Sequence, residues 1–158
     1  MKIYFFIIFV LSLFLLPSFA KAELTLGQTS AFFIDQDYDL SKRSQLTATI
    51  RKITPQLYFF IDDQWWDGMS LSEQEQIRGH LNYLGEEFET RIYPNLTRTF
   101  GQEWSPGIDM DTRISVLIFP MKDGAGGYFN TGDEYPKIQY PESNEKEMFY
   151  LNSKYINT

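Results

Sequence analysis

The sequence contains no cysteine, a single histidine, and only 14 lysines and arginines against 21 acidic residues. Without cysteine no disulfide can form, so stability must come from a packed core or a bound metal. One imidazole, His80, cannot supply the three or four protein ligands of a zinc site, and we expect it to be structural or exposed to solvent. The net charge of −7 argues against nucleic acid and anionic membranes as partners.

Long apolar runs are also lacking, except at the amino terminus. Lys2 precedes an apolar stretch over residues 3–16, and Pro17 and an Ala-x-Ala ending follow. This layout predicts a signal peptide, residues 1–22, cleaved after Ala22 or Ala20. A membrane anchor is the alternative, since the run approaches the length that spans a bilayer. Cleavage removes two lysines and no acid, so the net charge changes from −7 to −9. We therefore expect a secreted, bacterial protein without a stable membrane anchor.

Aromatic residues make up 17% of the chain, which predicts a folded domain rather than a disordered tail. Residues 29–35, 44–54 and 57–61 are rich in β-branched and aromatic side chains, and the second segment alternates polar with apolar residues. We expect these segments to form a small antiparallel sheet. It defines an amino-terminal β region over residues 23–68.

The pattern then changes to that of a helix within a second region, residues 69–158. Ser70 and Glu73 have the spacing of a capping box, and the Tyr93–Pro94 pair predicts the helix end. A short second helix to Phe100 and a core strand over residues 113–119 should follow. The apolar stripe of the long helix consists of Ile77, Leu81, Leu84, Phe88 and Ile92. The predicted class is α+β.

No complete active site is visible, and no catalytic residue is assigned. Asp109 and Asp111 lie two apart before a strand, a spacing that suits Ca²⁺, although a polar turn is the favoured interpretation. The acids of residues 131–147 are expected to be solvated loop charges, with calcium as the alternative. Trp65 and Trp66 suit either a glycan-stacking surface or the core.

Three longer stretches resemble secreted hyicolysin-like metallopeptidases of the zincin group. They are LYFFIDDQWW (57–66), EEFETRIYPNLTRTFG (86–101) and DTRISVLIFPMKDGAGGYFNTGDEYP (111–136), the last followed by SNEKEMFYLN (143–152). The resemblance covers about residues 29–158. In that family a helix carrying His-Glu-x-x-His follows the strand that corresponds to residues 148–152. No such motif occurs here, so the resemblance implies an incomplete zincin-like sheet region that precedes the zinc helix.

The resemblance also implies a substrate site. Gly126, Gly127, Tyr128, Phe129 and Asn130 would form the edge strand of the cleft, which pairs with an extended peptide. The glycines would let the peptide backbone approach closely, and the following polar loop would run along the cleft rim or form a plain surface excursion.

Two functions follow. The first is the amino-terminal part of a secreted zinc endopeptidase, truncated and inactive by itself, whose full-length relatives hold zinc that this chain does not bind. The alternative is a standalone secreted module that binds peptide or glycan.

Export is directly testable. We expect amino-terminal sequencing of the secreted product to start at Glu23, or at Lys21 if cleavage follows Ala20. Recovery of the intact chain from the membrane fraction, with Met1 retained, would contradict the signal-peptide assignment and favour the anchor.

Overall fold

The computed structural model describes residues 23–156, so the predicted signal peptide lies outside the described residues. Six strands form one mixed sheet in the order β1-β2-β3-β4-β6-β5. The strands are β1 (Thr29–Phe33), β2 (Gln45–Ile53), β3 (Leu57–Asp62), β4 (Ile114–Phe119), β5 (Gly127–Tyr128) and β6 (Met148–Asn152). The α+β class is confirmed. No helix within the described residues is long and apolar enough to cross a membrane.

The predicted antiparallel pairing of the first three segments is confirmed, since β2 pairs antiparallel with both β1 and β3. The sheet continues beyond them, because β3, β4 and β6 are parallel neighbours and β5 pairs antiparallel with β6. Strands from both regions of the sequence therefore share one sheet. Side chains on both faces of β3 and β4 are buried, as is usual for parallel strands.

The helical elements cover one face of the sheet. A short helix α1 (Asp63–Asp67) leads into α2 (Leu71–Glu87), and a π-helical turn (Phe88–Ile92) joins α2 to α3 (Tyr93–Phe100). The capping box of Ser70 and Glu73 is present, and Gly101 ends α3 with a φ of 88°. The buried contacts of Ile77, Leu81 and Phe88 confirm the predicted apolar stripe.

The predicted second helix to Phe100 is confirmed, but the break predicted at Tyr93–Pro94 is absent, because helical elements follow one another directly from Leu71 to Phe100. The amide of Tyr93 bonds to the carbonyl of Phe88, five residues back, in the π-helical turn. In a regular α-helix the ring of Pro94 would clash with the carbonyl four residues earlier, and Pro94 has no N–H to bond to it. The wider π-helical turn changes the spacing of the carbonyls just before Pro94. The proline thus lies in the first turn of α3, where its missing donor costs little.

Within residues 23–156, loops rather than an α-helix cover the other face of the sheet. Its core contains Phe32, Tyr58, Phe60, Leu117 and Phe119, together with residues of β2 and β6. The segment between β1 and β2 folds towards the end of β4, where Leu40 N donates to Pro120 O and Lys122 N donates to Tyr38 O. The long loop between β5 and β6 completes the cover.

Asn144 connects this loop to the opposite edge of the sheet. Its Oδ1 accepts the N–H of Phe33 (2.8 Å), and its Nδ2 donates to the carbonyl of Phe33 (2.9 Å). Ile34 N bonds to Ser44 O on the inner side, so the groups of Phe33 point outwards from β1. The Asn144 amide therefore replaces a neighbouring strand at one position of the sheet edge.

Replacing Asn144 with Ala should lower the free energy of unfolding by about 1–3 kcal/mol, because two backbone groups of Phe33 lose their partner. Urea unfolding and amide exchange at Phe33 measure the effect. Asn82→Ala, on the exposed face of α2, is the matched control. Unchanged stability and unchanged exchange at Phe33 would show that the loop is not held by this contact.

Candidate functional site

Within the segment 126–130, which the resemblance predicts as the cleft edge strand, only Gly127 and Tyr128 pair with β6. Phe129 lies beyond the pairing and is 55% exposed. The Oδ1 of Asn130 accepts the N–H of Gly132 (3.0 Å) and so begins a 3₁₀ helix, Thr131–Glu134. This side-chain cap turns the chain out of the sheet after Tyr128.

The register of β5 determines which of its backbone groups face outwards. Asn152 N donates to Gly126 O (3.0 Å), so residues 126 and 152 form a hydrogen-bonded pair. In an antiparallel ladder such pairs alternate with pairs whose groups point away. The next pair, Gly127 with Leu151, is of the second kind. The N–H and C=O of Gly127 therefore point to the outer edge, where no strand of the described residues pairs.

The two glycines of this strand differ in their surroundings. A Cβ on Gly127 would lie 2.4 Å from the carbonyl oxygen of Tyr150, whereas a Cβ on Gly126 would meet open space. Glycine at 127 is thus required by the approach of β6. The same lack of a side chain leaves its outer backbone groups accessible.

Tyr128 points to the inner face of the sheet rather than to the outer edge. Its ring lies between Tyr150, at 4.1 Å, and Tyr38, at 4.6 Å, in a stack of three rings. Its hydroxyl accepts the N–H of Asp35 (3.1 Å). Burial raises the pKa of Tyr128 above its ordinary value. The stack fixes β5 to the body of the domain and holds the outer edge in place.

Asp133 forms the polar centre behind this stack. Its side chain is fully buried, and its carboxylate accepts the hydroxyl of Tyr150 (2.6 Å) and the N–H of Asn144 (2.8 Å). Burial raises the pKa of Asp133, although these hydrogen bonds lower it in part. No lysine or arginine among the described residues forms a salt bridge with it. One carboxylate thus joins β6 to two positions of the long loop.

The expectation that the loop acids are solvated is wrong for Asp133 and for Glu147. Glu147 Oε1 accepts the N–H of Ile108 (2.9 Å), while Oε2 is buried without a hydrogen-bond partner among the described residues. Its side chain lies over Gly107, where a Cβ would come within 1.6 Å of Oε2. Burial raises the pKa of Glu147. A buried carboxyl group next to a glycine turn could not be distinguished from a surface acid by local sequence.

The calcium candidates Asp109 and Asp111 contact protein donors. Asp109 Oδ2 pairs with Lys146 Nζ (2.9 Å), and Asp109 Oδ1 accepts the N–H of Asp111 (3.0 Å). Asp111 accepts the hydroxyl of Tyr58 (2.8 Å) and the N–H of Arg113 (3.0 Å). Burial and the Asp111 hydrogen bond raise the pKa of Tyr58 to about 12. These contacts hold the turn before β4, with an ammonium group beside Asp109.

The remaining candidates lie apart from the edge strand. His80 is exposed on α2. Trp66 is 3% exposed, and the guanidinium carbons of Arg51 and Arg78 lie 4.7 Å and 4.9 Å from its ring centre, so its indole belongs to the core. Trp65 packs against the same core. The arrangement leaves no paired indole surface for a sugar.

Within residues 23–156, no group of three or more histidine, cysteine, aspartate or glutamate side chains could hold a metal ion. The donors present therefore do not fit a zinc site of the zincin kind. Comparison of the sequence with protein-family models and with curated proteins gives no match. The metallopeptidase resemblance therefore stays a prediction that depends on the residues quoted for it.

The raised pKa of Asp133 predicts how stability depends on pH. Its folded pKa lies above the ordinary value of 3.8. The contribution of Asp133 to the free energy of unfolding is therefore fully present below pH 3.8. It is lost as the pH rises through the folded pKa. Urea unfolding between pH 3.5 and 8 should show the wild-type chain losing stability relative to Asp133→Asn, which keeps an acceptor for Asn144 but cannot ionise.

Glu86→Gln, an exposed change on α2, should show no such pH-dependent difference. A difference between wild type and Asp133→Asn that stays constant, or that grows in favour of wild type with rising pH, would contradict the assignment.

Proposed function

We propose that this chain forms the substrate-binding sheet of an exported zinc endopeptidase, whose zinc ligands come from residues outside 23–156. The chain then contributes peptide binding and no catalytic group. The observation that carries the proposal is the outer edge of β5, where Gly127 presents a backbone N–H and C=O. These groups match those of one residue in an extended peptide, and edge pairing is a recurrent mode of peptide recognition.

Three features support edge pairing at this position. Gly127 carries no side chain that would obstruct a second backbone. The stack of Tyr38, Tyr128 and Tyr150 holds the strand rigidly, so little ordering is needed when a peptide binds. At the other sheet edge, the Asn144 side chain already bonds to the outward N–H and C=O of Phe33. The outward groups of Gly127 have no strand partner within residues 23–156, so β5 is the more open edge.

The zincin part of the proposal rests on the sequence resemblance together with this edge. The resemblance expects a cleft edge strand at residues 126–130, and β5 is an antiparallel edge strand within that range. A module that binds peptide without cleaving it is the alternative supported by the same edge. Zinc and turnover measurements separate the two.

The binding step is tested on residues 23–158 labelled with ¹⁵N. Addition of a casein-derived peptide of about eight residues should shift the Gly127 amide signal and slow its hydrogen exchange. A matched peptide that is N-methylated at alternate residues should bind at least ten-fold more weakly. The methyl groups remove the backbone N–H donors along one edge of the peptide. Binding of both peptides with equal affinity, or binding that leaves Gly127 unchanged, would contradict the edge assignment.

The peptidase step is measured on the same preparation and on a version continued into a His-Glu-x-x-His helix. Residues 23–158 should hold no stoichiometric zinc and should not hydrolyse casein, whereas the continued version should do both. Stoichiometric zinc with casein turnover in the shorter version would overturn the proposal. Peptide binding without gain of zinc or turnover in the continued version would favour the non-catalytic module.

A further inference from the structure

A cavity of about 460 Å³ lies on the sheet face opposite α2. It opens between the end of β1, the residues after Tyr128 and the long loop. Its walls include Asp35, Tyr38, Phe129, Asn130, Tyr140 and Glu142. The volume lies within the range of small-ligand sites. Tyr128 of β5 also lines the cavity, which therefore lies beside that strand.

The charged groups of this cavity are all negative. Asp35 and Glu142 line it, and no lysine, arginine or histidine does. Among residues 23–156 neither carboxylate forms a salt bridge. Asp35 Oδ1 accepts the N–H of Asp37 (2.8 Å), which fixes the orientation of the carboxylate. A cationic ligand would therefore meet two carboxylates without first displacing a basic side chain of the protein.

Nearby basic residues are bound elsewhere. Lys122 Nζ donates to the carbonyl of Asp37 (2.7 Å), and the Arg43 guanidinium pairs with Asp39 (2.8 Å) and Asp62 (2.9 Å). The hydrogen bonds with Asp39 hold the Arg43 guanidinium in place and also raise the pKa of Arg43 above its ordinary value. Asp39 and Asp62 are thus paired with a basic side chain, whereas Asp35 and Glu142, which line the cavity, are not.

Aromatic rings supply the remaining walls. Tyr38 is 37% exposed and is held by its stack on Tyr128. Tyr140 is 39% exposed and packs so closely on Gly132 that a Cβ there would lie 2.4 Å from the ring. Phe129 is 55% exposed. Faces of such rings attract guanidinium and ammonium groups, and the attraction strengthens when water is excluded.

We propose that this cavity binds a cationic organic group, a guanidinium or an ammonium, carried by a peptide side chain or by a small molecule. Carboxylates would pair with the charge, and the rings of Tyr38 and Tyr140 would cover its apolar part. A divalent metal ion fits less well, because no three carboxylate or imidazole groups converge within the described residues. The proposal does not depend on the peptidase assignment.

Titration calorimetry on residues 23–158 tests it with Nα-acetyl-arginine amide and its neutral analogue Nα-acetyl-citrulline amide. The arginine compound should bind saturably, at least ten-fold more tightly than the citrulline compound, and more weakly as salt increases. Methylguanidinium, titrated in the same way, distinguishes the two sources of the cationic group. An affinity comparable to that of the arginine compound indicates a small cation, and a much weaker affinity indicates a peptide side chain.

The double variant Asp35→Asn with Glu142→Gln should lose at least ten-fold in affinity, while Glu86→Gln, an exposed acid on α2, should bind as wild type. Asn at 35 keeps the acceptor that Asp37 uses, so the local turn is retained. Tyr140→Ala should also weaken binding. Lack of saturable binding, equal binding of citrulline, or full affinity in the double variant would overturn the proposal.

Discussion

Burial of β3 and β4 on both faces is the constraint on which the other features depend. Their side chains, including Tyr58, Phe60, Leu117 and Phe119, have almost no exposed surface. The crossover through α2 covers one face, because a connection between parallel strands must pass over the sheet. Among the described residues no α-helix covers the other face, so loops must cover it. Loops carry polar backbone groups, and these groups need partners once they are buried.

The carboxylate of Asp133 and the amide of Asn144 provide those partners. Asp133 bonds to Tyr150 and to the backbone of Asn144, and the Asn144 side chain bonds to Phe33, which lies 111 positions earlier. This explains why a long polar loop can serve as part of the core cover. The buried charge has a cost, which is visible as the raised pKa of Asp133.

Local features could be predicted from the sequence because their causes are local. The capping box of Ser70 and Glu73, the stripe from Ile77 to Phe88 and the alternation in β2 each depend on residues a few positions apart. Contacts that depend on distant residues could not be predicted in this way, for example the Asn144–Phe33 pairing and the burial of Glu147 over Gly107. The position of the edge strand came from a family resemblance. The outward direction of the Gly127 N–H and C=O could be assigned only from the pairing register of β5 with β6 in the structure.

The distribution of charge connects the fold to the two proposals. The few basic residues near the sheet are used within the fold: Arg43 binds Asp39 and Asp62, and Lys146 binds Asp109. For Asp39, burial opposes ionisation, but hydrogen bonds and charge from Arg43 outweigh it and hold its pKa low. Since acids outnumber bases, some carboxylates have no such partner, both buried ones such as Asp133 and exposed ones. Asp35 and Glu142 are two of these, and they face one aromatic cavity. Asp35 and Glu142 lie beside β5, so a peptide that pairs with Gly127 as proposed would meet negative charge there.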